Sequence, residues 1–112
     1  MFNIYDKSTK ILNELCLYFY KHNMNDLTIQ LNNRKQGFSI MIFSEFDEIP
    51  SDLGDLRSGL AACKHPEVEN YYWELLGTNN SRHDYKILGS LTDEALIEVE
   101  DKILTIKIRI DI

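Results

Sequence analysis

Three side chains that could take part in acid–base chemistry recur at intervals of four residues near the N-terminus. Glu14, Tyr18 and His22 lie within the stretch NELCLYFYKHNMNDLTIQL. On an α-helix this spacing places a carboxylate, a phenol and an imidazole on one face. The same pattern also fits the solvated face of an amphipathic helix, with His22 near its C-terminal end interacting with the helix dipole. From the residues alone we favour this second interpretation.

Cysteine and histidine side chains offer a second kind of chemistry, because thiolates and imidazoles suit zinc. Cys63 and His65 could begin such a site, with His22, His83 or Cys16 completing it. Their spacing is unlike any compact zinc pattern, so we predict no metal site. Cys16 has apolar neighbours and no assigned base, which argues against nucleophilic cysteine catalysis.

Charged side chains form small local groups. Adjacent acidic residues occur at Asp47 and Glu48, Asp93 and Glu94, and Glu100 and Asp101. Basic residues occur at Arg34 and Lys35 and at Lys107 and Arg109. Pairs of acidic residues in loops and turns are usually solvated, so we predict no catalytic carboxylate pair. The basic side chains are expected to balance nearby carboxylates.

The stretch NYYWELLG contains the densest group of aromatic side chains. Consecutive residues of a helix point in different directions, so at least one of these rings should lie near the surface. Exposed Trp and Tyr are favoured at protein interfaces, although packing in the core is the alternative for each ring. As contact residues for a partner protein we predict Tyr72, Trp73, Arg82, His83 and Tyr85.

Length and charge restrict the classes of function. A chain of 112 residues suits one domain, residues 1–112. Its formal charge of -6 repels a phosphate backbone, so no nucleic acid partner is expected. We find neither a signal-peptide pattern nor an apolar run of membrane-spanning length, and two widely separated cysteines are typical of reduced thiols. We therefore expect a cytoplasmic protein that does not contact a membrane.

Periodicity in the first half predicts a helix followed by a hairpin. Apolar residues recur at helical spacing from about Asp6 to Asn23, with Asp6 or Ser8 available as a cap. LTIQLNN and FSIMIFS then alternate like two antiparallel strands joined by NRKQG. The second of these strands, with apolar residues on both faces, should be buried on most of both faces.

The second half predicts helices and a second hairpin. One helix follows Ser51 or Asp52, with either residue as its N-cap, and another runs from Pro66 to before Gly77. Residues 85–91, YKILGSL, fit either a strand or a short helix. ALIEVE and ILTIKIRI form a hairpin with a tight turn at Asp101 and Lys102. Its second strand, Ile103 through Ile110, could also form a sheet edge that pairs with another copy of the chain, giving a homo-oligomer, or with another chain.

This order of elements predicts an α+β fold. Helices between two antiparallel pairs fit a two-layer sandwich, with one mixed, mostly antiparallel sheet covered on one face by helices.

The same order resembles the ATP-binding fold of histidine kinases, anti-sigma serine kinases and gyrase, called the GHKL or Bergerat fold. Its first helix reads roughly NELxxNAxxH, and Asn13, Glu14, Leu15 and His22 match this pattern. The C-terminal stretch LGSLTDEALIEVEDKILTIKIRI is similar to the end of that family's domain. The resemblance implies the fold, with Glu14 as the base of an active member.

Three departures from the family pattern argue against activity. The Asn that helps hold magnesium falls at Tyr18, which has no amide oxygen for a hard cation. SEFDEIP replaces DxGxG, so Glu45 or Asp47 could imitate the adenine-binding Asp, but no glycine follows. TNNSRHD and YKILG replace the Gly-rich phosphate loop.

Two hypotheses follow from the resemblance. The first is a non-catalytic regulatory or protein-interaction domain in bacterial signalling, with no cofactor and with Glu14, Tyr18, His22, Glu45 and Asp47 as remnants of a nucleotide site. The second is an active serine kinase of the anti-sigma type, with Glu14 as base. A small-ligand sensor that retains the old pocket is a third possibility. We adopt the first.

Overall fold

The computed structural model describes residues 3–61 and 85–111, with the side chain of residue 86 excepted. These residues form three helices and four strands: α1 (Ile4–Lys21), β1 (Thr28–Arg34), β2 (Gly37–Glu45), α2 (Leu53–Leu60), α3 (Tyr85–Ser90), β3 (Glu94–Glu100) and β4 (Ile103–Asp111). The ambiguous segment at 85–91 is therefore helical over most of its length. The helix predicted from Pro66 to before Gly77 lies outside the described residues.

The strands form one sheet in the order β1-β2-β4-β3. Each neighbouring pair is antiparallel, including β2 with β4, which joins the two hairpins. The predicted α+β class and two-layer arrangement are confirmed. The prediction of a mixed sheet differs from this result, because all the described strand pairs are antiparallel.

The core lies between one face of the sheet and the helices. Even-numbered residues of β2 and β4 point toward this layer and are buried. Helix α1 contributes its apolar stripe, and α2 and α3 contribute leucines. The fully buried core side chains include Ile11, Leu15, Phe19, Ile40, Ile42, Leu56, Leu91, Leu104 and Ile106. The buried residues of the strands, which alternate, and those of α1, which recur at helical spacing, thus face one another across the same layer.

Helix α1 begins two residues before the predicted start, because its cap is neither Asp6 nor Ser8. Asn3 accepts a hydrogen bond from the backbone N–H of Asp6 across 2.9 Å, and the carboxylate of Asp6 accepts one from the N–H of Asn3. This reciprocal capping box satisfies two N–H groups at the helix end. Asp6 is therefore the third residue of the helix and pairs with the N-cap Asn3 in the capping box.

Strand β4 lies in the middle of the sheet, which corrects the prediction that it could be an edge. It pairs with β2 on one side and with β3 on the other. Its outward cations are matched within the sheet, since Arg109 lies 2.7 Å from a carboxylate oxygen of Glu94 and Lys107 lies 4.0 Å from Glu98. The expected local balance of basic and acidic side chains is confirmed here.

The outer face of the sheet differs from the sequence prediction for β2. Met41 and Phe43 point to this face and are half-buried, whereas Phe38, Ile40 and Ile42 are buried beneath the helices. In the part of the chain that the structure describes, all helices that contact the sheet lie on the inner side. Strand β2 is therefore fully buried on one face only.

The β3–β4 turn is of type I′, because both central residues have positive φ: 51° at Asp101 and 61° at Lys102. Neither is a glycine, so each adopts a left-handed conformation that costs an L-residue about 1 kcal/mol or more. We expect Lys102→Gly to raise the free energy of unfolding by about 0.5 to 1 kcal/mol. Urea denaturation followed by circular dichroism would measure the change.

Gln36→Gly is the matched control for this prediction. Gln36 is also exposed and also the second residue of a two-residue hairpin loop, but its φ is not positive. Glycine should therefore destabilise the chain there by a few tenths of a kcal/mol up to about 1 kcal/mol. Equal effects of the two glycines would contradict the assignment of the turn.

Candidate functional site

The carboxylate of Asp52 lies at the centre of a polar cluster between α1, α2 and α3. Its oxygen Oδ1 accepts a hydrogen bond from the hydroxyl of Tyr18 across 3.0 Å. Its Oδ2 accepts from the hydroxyl of Tyr85 across 2.7 Å and from the ammonium of Lys21 across 3.1 Å. Together with His22, these residues are called the Asp52 cluster below. The cluster connects segments that are 31 to 34 residues apart in the chain.

His22 contributes an imidazole without a directed hydrogen bond. Its Nε2 lies 2.8 Å from Oδ1 of Asp52, and only 15% of its side chain is exposed. This buried nitrogen has no hydrogen-bond partner of acceptable angle among the described residues. The imidazole of His22 and the carboxylate of Asp52 are therefore close together without a hydrogen bond of good geometry. They form an ion pair only when the imidazole is protonated.

Helix α1 positions three members of the cluster through its period. Tyr18, Lys21 and His22 lie at helical intervals of three and four, which brings them to one side of the last turn. The rings of Tyr18 and His22 contact each other with centroids 4.8 Å apart, and Tyr18 meets Tyr85 edge to face at 5.8 Å. Tyr18 is 3% exposed, so this part of the face is a packed contact and is not solvated.

Asp52 reaches the cluster from the position that precedes α2. It occupies the N-cap, as one of the two predicted alternatives, but its side chain makes no capping hydrogen bond. The preceding turn is held by a hydrogen bond from the N–H of Leu53 to the carbonyl of Pro50, which is buried. The carboxylate accepts its hydrogen bonds from side chains of α1 and α3 instead.

The electrostatics of the cluster favour an ionised carboxylate and protonated phenols. Burial acts to raise the pKa of Asp52, but hydrogen bonds from Tyr85, Lys21 and Tyr18 outweigh it and lower that pKa to about 2. Burial, followed by the hydrogen bond to Asp52, raises the pKa of Tyr18 and of Tyr85 well above the ordinary value for tyrosine. Neither hydroxyl is thus poised to act as a base or nucleophile near neutral pH.

The cluster is suited to holding three helices together. One carboxylate receives two hydroxyl donors and one ammonium donor, which uses most of its acceptor capacity. A hard cation such as magnesium needs several free oxygen ligands. In the part of the chain described here, no group of three or more histidine, cysteine or acidic side chains could hold a metal ion. The hydrogen bonds to Asp52 thus link α1 and α3 to the start of α2.

The structure brings together some of the predicted site residues and separates others. Tyr18 and His22 meet in the Asp52 cluster, and Tyr85 joins them from α3. Glu14 lies one turn before Tyr18, is half-buried and is engaged in an interaction of its own. The prediction that Glu14 lies on a solvated helix face is therefore only partly correct.

Glu45 and Asp47 do not join this group. Glu45 is exposed at the end of β2 and pairs in register with Ile103, so its side chain points to the outer face of the sheet. Helix α1 packs on the opposite face. Asp47 is exposed in the loop that follows β2. Within residues 3–61 and 85–111 no hydrogen bond or ion pair joins either carboxylate to α1.

The remaining predicted residues lie outside the described residues. These are the predicted partner-contact residues Tyr72, Trp73, Arg82 and His83, and Cys63 and His65, which were considered as zinc ligands. Cys16 is described and is half-buried, and burial raises the pKa of its thiol.

The chain matches no protein-family model, and a search of curated proteins finds no match. Among the described helices, none is both long and apolar enough to cross a bilayer.

Sequence reasoning missed Lys21 and the acceptor role of Asp52. The available signal for Lys21 was its helical spacing from Tyr18, which places both on one side of α1. For Asp52 there was no local signal beyond its position before a helix, because its partners come from distant segments. A carboxylate at an N-cap normally binds its own helix, whereas Asp52 accepts hydrogen bonds from side chains of α1 and α3.

Proposed function

We propose that this chain is a non-catalytic regulatory or protein-interaction domain, with a histidine-kinase-like ATPase fold whose nucleotide site is degenerate. It acts in the cytosol in bacterial signalling, by binding another protein. It requires no cofactor. Tyr72, Trp73, Arg82, His83 and Tyr85 are the proposed contact residues.

The observation that carries the proposal is that Tyr18 is buried and hydrogen-bonded to Asp52. The resemblance places a magnesium-holding Asn at this position, and the residue present is a buried phenol whose hydroxyl donates to Asp52. A hydroxyl that is committed to a carboxylate offers no ligand to a hard cation. The neighbouring ammonium of Lys21 bonds the same carboxylate, so it too is engaged within the protein.

The placement of the other remnant residues supports the same proposal. Glu45 points to the outer face of the sheet, opposite to α1, and Asp47 is exposed beyond β2. The stretch that would bind adenine, SEFDEIP, has no glycine. Its backbone therefore lacks the freedom to approach a ring closely.

A magnesium-ATP titration tests the proposal directly. We expect no saturable heat in isothermal calorimetry up to about 1 mM ATP, because neither the cation nor the phosphates have a prepared site. Glu14→Gln is the matched variant, and it should behave like the wild type. Magnesium-dependent binding with micromolar affinity, or transfer of radiolabelled phosphate to a co-purified protein that Glu14→Gln abolishes, would instead establish the serine kinase hypothesis.

A further inference from the structure

Strand β1 forms an open edge of the sheet. Strands β1 and β3 are the two outer strands, and among the described residues no strand pairs with the outer side of β1. The two edges differ in charge, because β3 carries Glu94, Glu98 and Glu100 while β1, TIQLNNR, carries Arg34 alone. Charged side chains protect edge strands from pairing. Most of β1 lacks this protection.

The hydrogen-bond pattern shows which backbone groups of β1 are available. The N–H of Phe46 bonds the carbonyl of Lys102 across 2.9 Å, so even-numbered residues of β2 direct their backbone groups to β4. Because these directions alternate along antiparallel strands, odd-numbered residues of β2 bond to even-numbered residues of β1. The backbone groups of Ile29, Leu31 and Asn33 therefore point away from the sheet.

The side chains of the same three residues point to the inner face of the sheet, at its margin. Ile29 pairs in register with the buried Ile42, yet it remains 42% exposed. Leu31 is half-buried. A further strand added to this edge would extend the inner face and cover these apolar side chains.

One antiparallel register between two copies of β1 matches both apolar and charged residues. When Gln30 lies opposite Gln30 of the partner subunit, Ile29 lies opposite Leu31 of the partner subunit, and the reverse pair repeats by symmetry. In this register Arg34 lies opposite Asp26 of the partner subunit. Asp26 and Arg34 are both exposed. Two apolar pairs and two opposite-charge pairs thus arise from one two-fold axis.

We propose that a second copy of this chain pairs with β1 in this antiparallel register, so that the two four-stranded sheets become continuous. The interface is small, since it consists mainly of one strand from each copy. A dissociation constant on the order of micromolar is therefore expected. This inference does not depend on the proposed function.

A charge exchange tests the register. Asp26→Arg alone and Arg34→Glu alone each place like charges opposite one another twice per dimer, and each should weaken dimerisation about tenfold or more in sedimentation equilibrium of the full chain. The double variant restores opposite charges and should return the dissociation constant to within about threefold of the wild type. Circular dichroism confirms folding of each variant. A wild type that is monomeric up to about 1 mM, or a double variant without recovery, would overturn the proposal.

Cysteine substitution provides a second test that does not rely on charge. Gln30 lies on the proposed two-fold axis as a non-hydrogen-bonded pair, with Cα atoms about 4.5 Å apart, which is within the range of a disulfide. Gln30→Cys should form a reducible covalent dimer under mild oxidation. Asn32→Cys, on the same face but opposite Thr28 of the partner subunit, should form no more dimer than the wild type. Equal cross-linking of the two variants, or none in Gln30→Cys, would show that β1 does not pair in this way.

Discussion

Gly89→Ala is expected to lower the free energy of unfolding by about 2 to 3 kcal/mol. Helices α2 and α3 approach each other at Gly59 and Gly89, and a methyl group at Gly89 would overlap the carbonyl oxygen of Gly59. The obstacle is backbone, so no side chain can rotate away to make room. The helices must separate, and the leucines around them lose contact. Urea denaturation followed by circular dichroism would measure the loss.

Gly54→Ala is the matched control, because it makes the same change in an exposed part of α2. A methyl group there would have no neighbour within 4 Å. Alanine is a better helix former than glycine, so the variant should be more stable by about 0.5 to 1 kcal/mol. Opposite signs for the two substitutions would support the close approach of α2 and α3. A Gly89→Ala variant as stable as the wild type would disprove it.

Asp52→Asn is expected to lower the free energy of unfolding at pH 7 by about 2 kcal/mol. In the folded chain the pKa of Asp52 falls from its ordinary value of 3.8 to about 2, and a difference of this size corresponds to that free energy. Asparagine has nearly the same shape but has no charge to attract Lys21 or to accept strongly from the two phenols. Asp52→Ala should cost more, because it leaves Tyr18, Tyr85 and Lys21 without their acceptor.

The pH dependence of this effect has a definite sign. A carboxylate whose pKa is lower in the folded state stabilises the protein above its unfolded pKa of about 4, and this contribution is lost as the pH falls through about 2. Wild type should therefore lose stability between about pH 5 and pH 2, and Asp52→Asn should lose about 2 kcal/mol less over the same interval.

Asp47→Asn provides the control for both measurements. Asp47 is exposed in the loop after β2. Its substitution should change stability by less than about 0.5 kcal/mol both at pH 7 and at pH 3. If Asp52→Asn and Asp47→Asn gave the same denaturation curves at pH 7 and at pH 3, the hydrogen bonds to Asp52 would contribute nothing to stability.

Most of the secondary structure could be predicted because its signals are local. Strict alternation in ILTIKIRI and the two-residue turn before it define the β3–β4 hairpin, and the turn adopts the type I′ conformation typical of such hairpins. Helical spacing of Ile11, Leu15 and Phe19 defined the buried stripe of α1. Each of these patterns extends over several turns or strand pairs, so one atypical residue does not obscure it.

Shorter elements could not be predicted in the same way. Residues 85–91 contain one glycine in seven, and both periods fit so short a segment. In the structure, Gly89 of α3 packs directly against the backbone of α2 at Gly59. That contact is made by a residue 30 positions away in the chain, so no window of local sequence contains it.

The order of the strands is another property that local patterns leave open. Alternation identified β4 as a strand with one buried face, but the same alternation fits an edge and a centre. Its central position follows from the pairing of β2 with β4, which brings the two hairpins together.

The amino-acid sequence by itself determined the α+β class, the two hairpins, the stripe of α1 and the absence of a complete family motif, since these depend on residue type and spacing. Only the tertiary structure decided where polar side chains meet. Asp52 joins Tyr18, Lys21, His22 and Tyr85 because three helices converge at that point. The energy of such a contact arises between residues distant in the chain, and no local pattern encodes it.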